Sequence, residues 1–177
     1  MKQKLPSMSF LRGRKAQRIG KNFEQMISEQ CKQQEIKAIK HHVPTVLSRG
    51  KLIYLSKGAP DFNIIYQGIS VYFDAKTFDS DRITYSQIKR HQVLDLAELK
   101  ASGCNSGYLC WLREIGIVGW VPVGDLLNLA PGASIKHDQM IILGSASPGL
   151  MEPQIHFSRL FSLDWESKRC VNCKKVI

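Results

Sequence analysis

The chain has 177 residues, of which 44% are hydrophobic, so one domain with a sizeable core is expected and general disorder is excluded. It carries 25 Lys+Arg against 15 Asp+Glu, a net charge of +10, which suits a nucleic-acid binder or an enzyme of acidic substrates. No apolar run approaches the ~20 residues of a membrane span and no apolar stretch follows the basic N-terminus, so neither a membrane partner nor a signal peptide is expected.

Residues 1–14 read as an irregular basic arm with Pro6, Ser7 and Gly13. From Lys15 to about Gln34 the apolar residues Ile19, Phe23, Met26, Ile27 and Cys31 fall at helical spacing. Residues 36–47 read as extended, closed or edged by Pro44, and 48–60, with Ser48, Gly50, Gly58 and Pro60, as a projecting hairpin or loop. Residues 61–76 form the clearest hairpin. Thr84 and Gln87 make a capping box that opens a helix through Tyr85, Ile88, Gln92, Leu96 and Leu99, with Gly103 as its stop. Strands are expected at 107–113 and 115–123, a short helix at 124–130, and a final strand at Met140–Leu143. This order predicts an α/β fold with a mixed sheet. The expected organisation is a basic arm (1–14), one domain (15–165) and a basic tail (166–177).

The charge sits at the ends. Residues 1–22 hold Lys2, Lys4, Arg12, Arg14, Lys15, Arg18 and Lys21 and no acid; after Glu166 come Lys168, Arg169, Lys174 and Lys175, again with no acid. Residues 23–167 are close to neutral, with 14 basic and 15 acidic side chains. Basic ends around a neutral body suggest arms that grip a polyanion; a solubilising tail has the same composition. Five cysteines, an odd count, argue against a disulfide framework and for a reducing cytoplasm. Cys170 and Cys173 form a single CxxC, short of the four ligands of a structural zinc.

The hairpin carries the chemistry. With Gln67-Gly68 as a two-residue turn, Tyr66 pairs with Ile69 and Asp61 comes opposite Asp74. Alternation puts Asp61, Asn63, Ile65, Ser70, Tyr72, Asp74 and Lys76 on one face and Phe62, Ile64, Tyr66, Ile69, Val71, Phe73 and Ala75 on the other. The second face is apolar and packs on the core. The first brings together two carboxylates, whose repulsion Lys76 or a divalent cation would offset. Mg²⁺ or Mn²⁺ suits carboxylate oxygens and activates water for phosphodiester hydrolysis. A solvent-facing strand with an Asp74–Lys76 salt bridge would use the same residues.

Pro60-Asp61 followed by Asp74-Ala75-Lys76 resembles the PD-(D/E)XK nuclease motif. With Gly20-Lys21-Asn22-Phe23-Glu24, Lys40-His41-His42-Val43-Pro44-Thr45, Phe73 to Thr77 and Ile88-Lys89-Arg90-His91-Gln92, the ordered set resembles the RecU family of Holliday junction resolvases over roughly residues 18–127. The resemblance implies a restriction-endonuclease-like core, with a central mixed β-sheet flanked by helices. It implies a Mg²⁺-dependent homodimer that makes symmetric paired nicks in four-way DNA junctions during recombination and repair, in the cytoplasm of a bacterium or encoded by a phage. The acidic trio, also the metal ligands, would be Glu24, Asp61 and Asp74, with Lys76 completing the catalytic site and Gln92 supporting it. Residues 46–59 stand where the family has a junction-inserting stalk, with Arg49, Lys51 and Lys57 as its charge. Arg12, Arg14, Lys15, Arg18, Lys21, Lys89 and Arg90 are the other candidate DNA contacts. Asp74 replaces the Glu common in that family. A nuclease of the same superfamily acting on another DNA structure and a non-catalytic DNA-binding protein with a relict nuclease fold are the alternatives.

Overall fold

The structure, a computed structural model, describes residues 8–41, 45–48, 51–54, 59–146 and 152–162, with side chains for 15–41, 59–146 and 152–161. Helix α1 (Met8–Gln33) leads into strand β1 (Lys37–Lys40), the hairpin β2 (Thr45–Ser48) and β3 (Lys51–Tyr54), and the hairpin β4 (Phe62–Tyr66) and β5 (Ile69–Phe78). Then come β6 (Arg82–Thr84), α2 (Arg90–Ala101), β7 (Asn105–Leu112), β8 (Ile117–Pro122), α3 (Val123–Asn128), β9 (Ser134–Lys136), β10 (Ile141–Ser145), β11 (Gln154–Ile155) and α4 (Ser158–Ser162). Seven strands form one sheet in the order β1-β4-β5-β7-β8-β10-β11. Strands β5 and β7 run parallel, joined through α2, and the other pairs are antiparallel, so the sheet is mixed as expected.

Each face of the sheet has its own core. Phe23, Met26, Ile27 and Cys31 of α1 pack on the fully buried Phe62, Ile64, Val71 and Phe73 of the β4–β5 hairpin. Phe62 stacks on Phe73 with ring centres 5.4 Å apart, and Trp120 meets Phe73 edge-on at 6.1 Å. On the opposite face Val93 and Leu96 of α2 and Leu126 of α3 pack with Tyr108, Cys110 and Leu112 of β7. Gly107 lets β7 and β8 approach: a Cβ there would lie 2.2 Å from the Val121 carbonyl oxygen and 2.8 Å from the Trp120 ring.

The β4–β5 register matches the sequence expectation from Tyr66–Ile69 to Phe62–Phe73. Both turn residues have positive φ, Gln67 at 49° and Gly68 at 80°, the combination of a type I′ turn. Helix α1 ends where expected. The Ile36 N–H donates to the Cys31 carbonyl and the Glu35 N–H to that of Lys32, closing a Schellman motif about the left-handed Glu35. At the far edge, Gln30 and Gln34 of α1 bond the backbone of 153–157. Each amide nitrogen donates to a carbonyl (Pro153, Ile155) and each amide oxygen accepts an N–H (Ile155, Phe157), so two side chains stand in for a neighbouring strand.

The structure corrects several boundaries. Residues 8–14, expected in the irregular arm, belong to α1; Gly13 inside a helix costs only about 1 kcal/mol relative to alanine, too little to stop a 26-residue helix. The single strand expected at 36–47 is two, β1 and β2, in different sheets. The Thr84–Gln87 box closes only a 3₁₀ turn, Tyr85–Gln87; Ile88 is extended and α2 starts at Arg90, so Ile88 is not part of the helical stripe. The strand at Met140–Leu143 is not the last, because β11 pairs with it antiparallel. The tail 166–177 with Cys170 and Cys173, and Arg49 and Lys57, lie outside the described residues.

Candidate active site

The β4–β5 hairpin brings Asp61 and Asp74 together as its register requires. The ladder ends at Phe62–Phe73, and beyond it the side chains take over: the Asp61 N–H donates to Asp74 Oδ1, and the Ala75 N–H donates to Asp61 Oδ2, each at 3.0 Å. Each aspartate is thereby fixed by the other's strand. Lys76, two residues from Asp74 on the same face, places its Nζ 3.2 Å from Asp74 Oδ2 and 3.7 Å from Asp61 Oδ2. The Asp74 side chain is 3% exposed, Lys76 21% and Asp61 34%, so the pair opens outward at Asp61.

Burial pushes the Asp61 carboxyl above its usual range, and the Asp74 charge adds to this; Lys76 and the Ala75 N–H oppose it, and Glu24 contributes a small further rise. Two carboxylates held side by side with one lysine are short of positive charge. That is the chemistry of a cation site: Mg²⁺ is commonly bound through one or two carboxylates, with water and substrate phosphate filling the rest of its shell. Asp61 and Asp74 fit such an ion. Among the described residues no group of three or more His, Cys, Asp or Glu side chains is placed to hold one.

Glu24, the third expected acid, sits on α1 and pairs with Lys40 of β1 at 2.8 Å. Its charge reaches Asp61, but its carboxylate is engaged by Lys40, a residue of the Lys40–Thr45 motif that was not expected at the site. Lys40 stands next to His41, whose N–H donates to the Asp61 carbonyl at 2.9 Å. Glu24, Lys40 and His41 line a groove of about 750 Å³ together with Lys21, Gln25, Ser28 and Glu29. Lys21 is shared with a second groove, of about 620 Å³, lined by Lys15, Gln17 and Arg18. Lys15, Arg18 and Lys21, three of the basic residues expected to touch DNA, thus line adjoining grooves along α1, the larger of which reaches Glu24 and His41.

The other predicted residues are dispersed. Gln92 is half-buried in the first turn of α2, and its Oε1 is buried with no hydrogen-bond partner. Lys89 is exposed at the N-cap of α2, and Arg90 is exposed with a 3.4 Å bond to the Leu127 carbonyl. Arg12 and Arg14 lie on the described backbone of α1 and Lys51 on that of β3, with side chains outside the described set.

Sequence reasoning missed Tyr108. Parallel pairing sets it beside Asp74, and the Lys76 ammonium lies 5.4 Å from its ring centre. Burial, then the charges of Asp74, Cys110 and Asp61, push its phenol pKa upward. The segment GYLCWLR reads as a buried strand, and a tyrosine in a buried strand needs a partner for its hydroxyl; that signal was present in the sequence.

Residues 18–128 match the sequence profile of the family described as recombination protein U. The chain belongs to this family. The RecU match runs from α1 to the end of α3 and includes Glu24, Asp61, Asp74, Lys76, Gln92 and Tyr108; β9 to α4 lie beyond it. No curated protein sequence matches the chain. Among solved structures the chain is similar to Hjc of Archaeoglobus fulgidus, a Holliday junction resolvase from an archaeal hyperthermophile. The identity is 14% and the TM-score 0.52, over 70% of this chain and 95% of that one. The fold of this RecU-family chain is accordingly restriction-endonuclease-like, the α/β class expected from its motifs. None of its described helices is long and apolar enough to cross a membrane.

Proposed function

We propose that this RecU-family chain is a metal-dependent DNA endonuclease that resolves Holliday (four-way) junctions by paired symmetric nicks, acting as a homodimer in recombination and repair. The observation that carries the reading is the interlocked Asp61–Asp74 pair with Lys76 across both carboxylates. Family membership supports the choice of substrate. Asp61 and Asp74 would hold Mg²⁺, for which Mn²⁺ would substitute, with Glu24 assisting from α1 across its pair with Lys40. When bound, the ion supplies Lewis-acid polarisation of the phosphate and a lowered pKa for its water.

The chain's own residues do the positioning. Lys76, directed at Asp74, orients the attacking water and neutralises charge on the phosphate. The water oxygen bonds to phosphorus while one phosphorus–oxygen ester bond breaks, and the proton the water releases is balanced by the one the departing oxygen takes up. Gln92, on α2 over the same face of the sheet, would support the site with its unpaired Oε1. Lys15, Arg18 and Lys21 hold the phosphate backbone on its way to the cleft.

The test is a cleavage panel of four-way junction, flap, single-stranded and linear duplex DNA, with and without Mg²⁺, for the wild type and Asp74→Asn. Expected are symmetric paired nicks in the junction that need Mg²⁺ and vanish in the variant, whose circular dichroism is unchanged. Cleavage that survives in a folded Asp74→Asn refutes the site. Cleavage of another substrate in preference to the junction assigns this site to a different DNA structure. Salt-sensitive binding without any cleavage makes the chain a DNA-binding protein.

A further inference from the structure

Tyr108 is 1% exposed, and its hydroxyl is buried without a hydrogen-bond partner. Burying an unpaired hydroxyl is destabilising, because its bonds to water are lost and not replaced. A phenylalanine would fill the same space and offer Lys76 the same aromatic face without that penalty. Packing therefore accounts for the ring and leaves the hydroxyl unexplained. The hydroxyl is not alone. Asn63 is 7% exposed with Oδ1 buried and unpartnered, and Gln92 Oε1 is in the same condition. Asn63 alternates with Asp61 along β4 and is paired with Tyr72, two residues from Asp74 on β5. Gln92 is carried by α2, whose Val93 and Leu96 pack against Tyr108. One phenol donor and two amide acceptors are thus left unpaired on the side of the sheet that holds the carboxylates and the lysine. Tyr108 pairs with Asp74 and has the Lys76 ammonium 5.4 Å from its ring, so the missing partner of its hydroxyl is one that a ligand of that site can supply.

We propose that the Tyr108 hydroxyl donates a hydrogen bond to an oxygen ligand bound at the Asp61–Asp74–Lys76 site, either a water held there or a non-bridging oxygen of the scissile phosphate. To a phosphate oxygen, which carries no proton, the phenol can only donate; to a water it can donate as well, and the unpaired Asn63 and Gln92 oxygens are acceptors on the same side of the sheet. The inference deepens the junction-cleaving reading and rests on it for the identity of the ligand. Tyr108 has no role in that reading as stated.

The first arm needs no catalysis. The full chain is labelled with [¹³Cζ]tyrosine, and the Tyr108 signal among its five tyrosines is assigned by loss in Tyr108→Phe. Should that variant not fold, Phe variants at Tyr54, Tyr66, Tyr72 and Tyr85 assign it by elimination. Mg²⁺ alone is titrated first, then a four-way junction without metal. A Tyr108 signal that moves with Mg²⁺ identifies a water of the hydrated ion; one that moves only with DNA identifies a phosphate oxygen. A signal unmoved by both overturns the proposal. In the second arm Tyr108→Phe lowers kcat for the junction by tenfold or more while Tm is equal or higher. KM is unchanged for a water ligand and raised for a phosphate ligand. Unchanged kcat and KM overturn the proposal. If the wild type cuts no DNA with Mg²⁺ or Mn²⁺, the nuclease reading fails, and the labelled-tyrosine arm still decides the role of Tyr108.

Discussion

Lys76→Met isolates the electrostatic problem at the centre of the site. Methionine keeps an unbranched stem of similar length, so the packing is largely preserved and the charge is removed. Lys76 is, among the described residues, the one cation in ion-pair range of both Asp61 and Asp74. Removing one member of a fully buried ion pair costs about 3–5 kcal/mol. Here Lys76 is 21% and Asp61 34% exposed, and solvent screens part of the repulsion. A loss of about 2 kcal/mol is expected, below the fully buried range. In a chain of this size each kcal/mol shifts Tm by about 2–4 °C, so Tm should fall by about 4–8 °C at neutral pH without metal. Two controls separate charge from packing. Asp61, raised by burial and then by Asp74, takes up a proton before an ordinary aspartate does. The deficit should therefore narrow as pH falls into the carboxylate range. Mg²⁺ held by the two carboxylates replaces the missing charge, and at 100 times its Kd a ligand returns about 2.7 kcal/mol, so Mg²⁺ should raise the variant's Tm more than the wild type's. Thermal melts over a pH and Mg²⁺ series measure all three. A variant as stable as wild type at neutral pH without metal, or a deficit that neither acid nor Mg²⁺ narrows, refutes the reasoning.

Asp61→Asn should melt higher than wild type at pH 7 and cut no DNA. The raised Asp61 pKa lies above its unfolded value, so its contribution to stability is full below the unfolded pKa and is lost as pH rises through the folded one; the variant's advantage should disappear toward acid in the same melts. Gly107→Ala drives a Cβ against the Val121 carbonyl and the Trp120 ring, and should lose about 2–3 kcal/mol in urea unfolding, against near-neutrality if β7 and β8 can separate there. Replacing Lys15, Arg18 and Lys21 together by Gln should weaken junction binding and lower its salt slope by up to about 2.7, at about 0.9 for each phosphate no longer neutralised. An unchanged slope in a binding titration over a salt series would remove that stretch of α1 from the DNA path.

The hairpin was legible because everything that fixes it is local. Gln67-Gly68 permits one tight turn, the turn sets the register, and the register decides which residues share a face. Asp61 opposite Asp74, with Lys76 beside them, follows from those steps alone. The start of α2 was misplaced because a capping box satisfies a 3₁₀ turn as well as a helix, and extended Ile88 separates the two. The far edge of the sheet was illegible for the opposite reason. Strand β11 has two residues, and its outer edge is paired by Gln30 and Gln34 from a helix more than 120 residues away.

Tyr108 and Lys40 mark the same limit inside the site. Asp74 finds Tyr108 through a parallel pairing that α2 must close, and no turn within the sequence specifies that register. Glu24 was expected at the metal, and the structure sets it against Lys40, because the Schellman close of α1 folds β1 back alongside the helix, a chain reversal that the pattern of apolar residues did not reveal. The Glu24–Lys40 pair changes the meaning of the charge distribution. Residues 23–167 are nearly neutral, and among the described residues the cations paired with the carboxylates are Lys76, with Asp74 and Asp61, and Lys40, with Glu24. In the proposed reading, positive charge for an incoming phosphate would come from the α1 lysines and arginine and from a cation between the aspartates. A site working in the proposed way would bind DNA along α1 without metal and bring a phosphate up to its carboxylates only with it. Junction affinity should accordingly depend on salt in the absence of Mg²⁺, with cleavage depending on Mg²⁺ at any salt; affinity without metal that matches the metal-bound value while Asp74→Asn leaves it unchanged would mean that the carboxylates do not meet the phosphate.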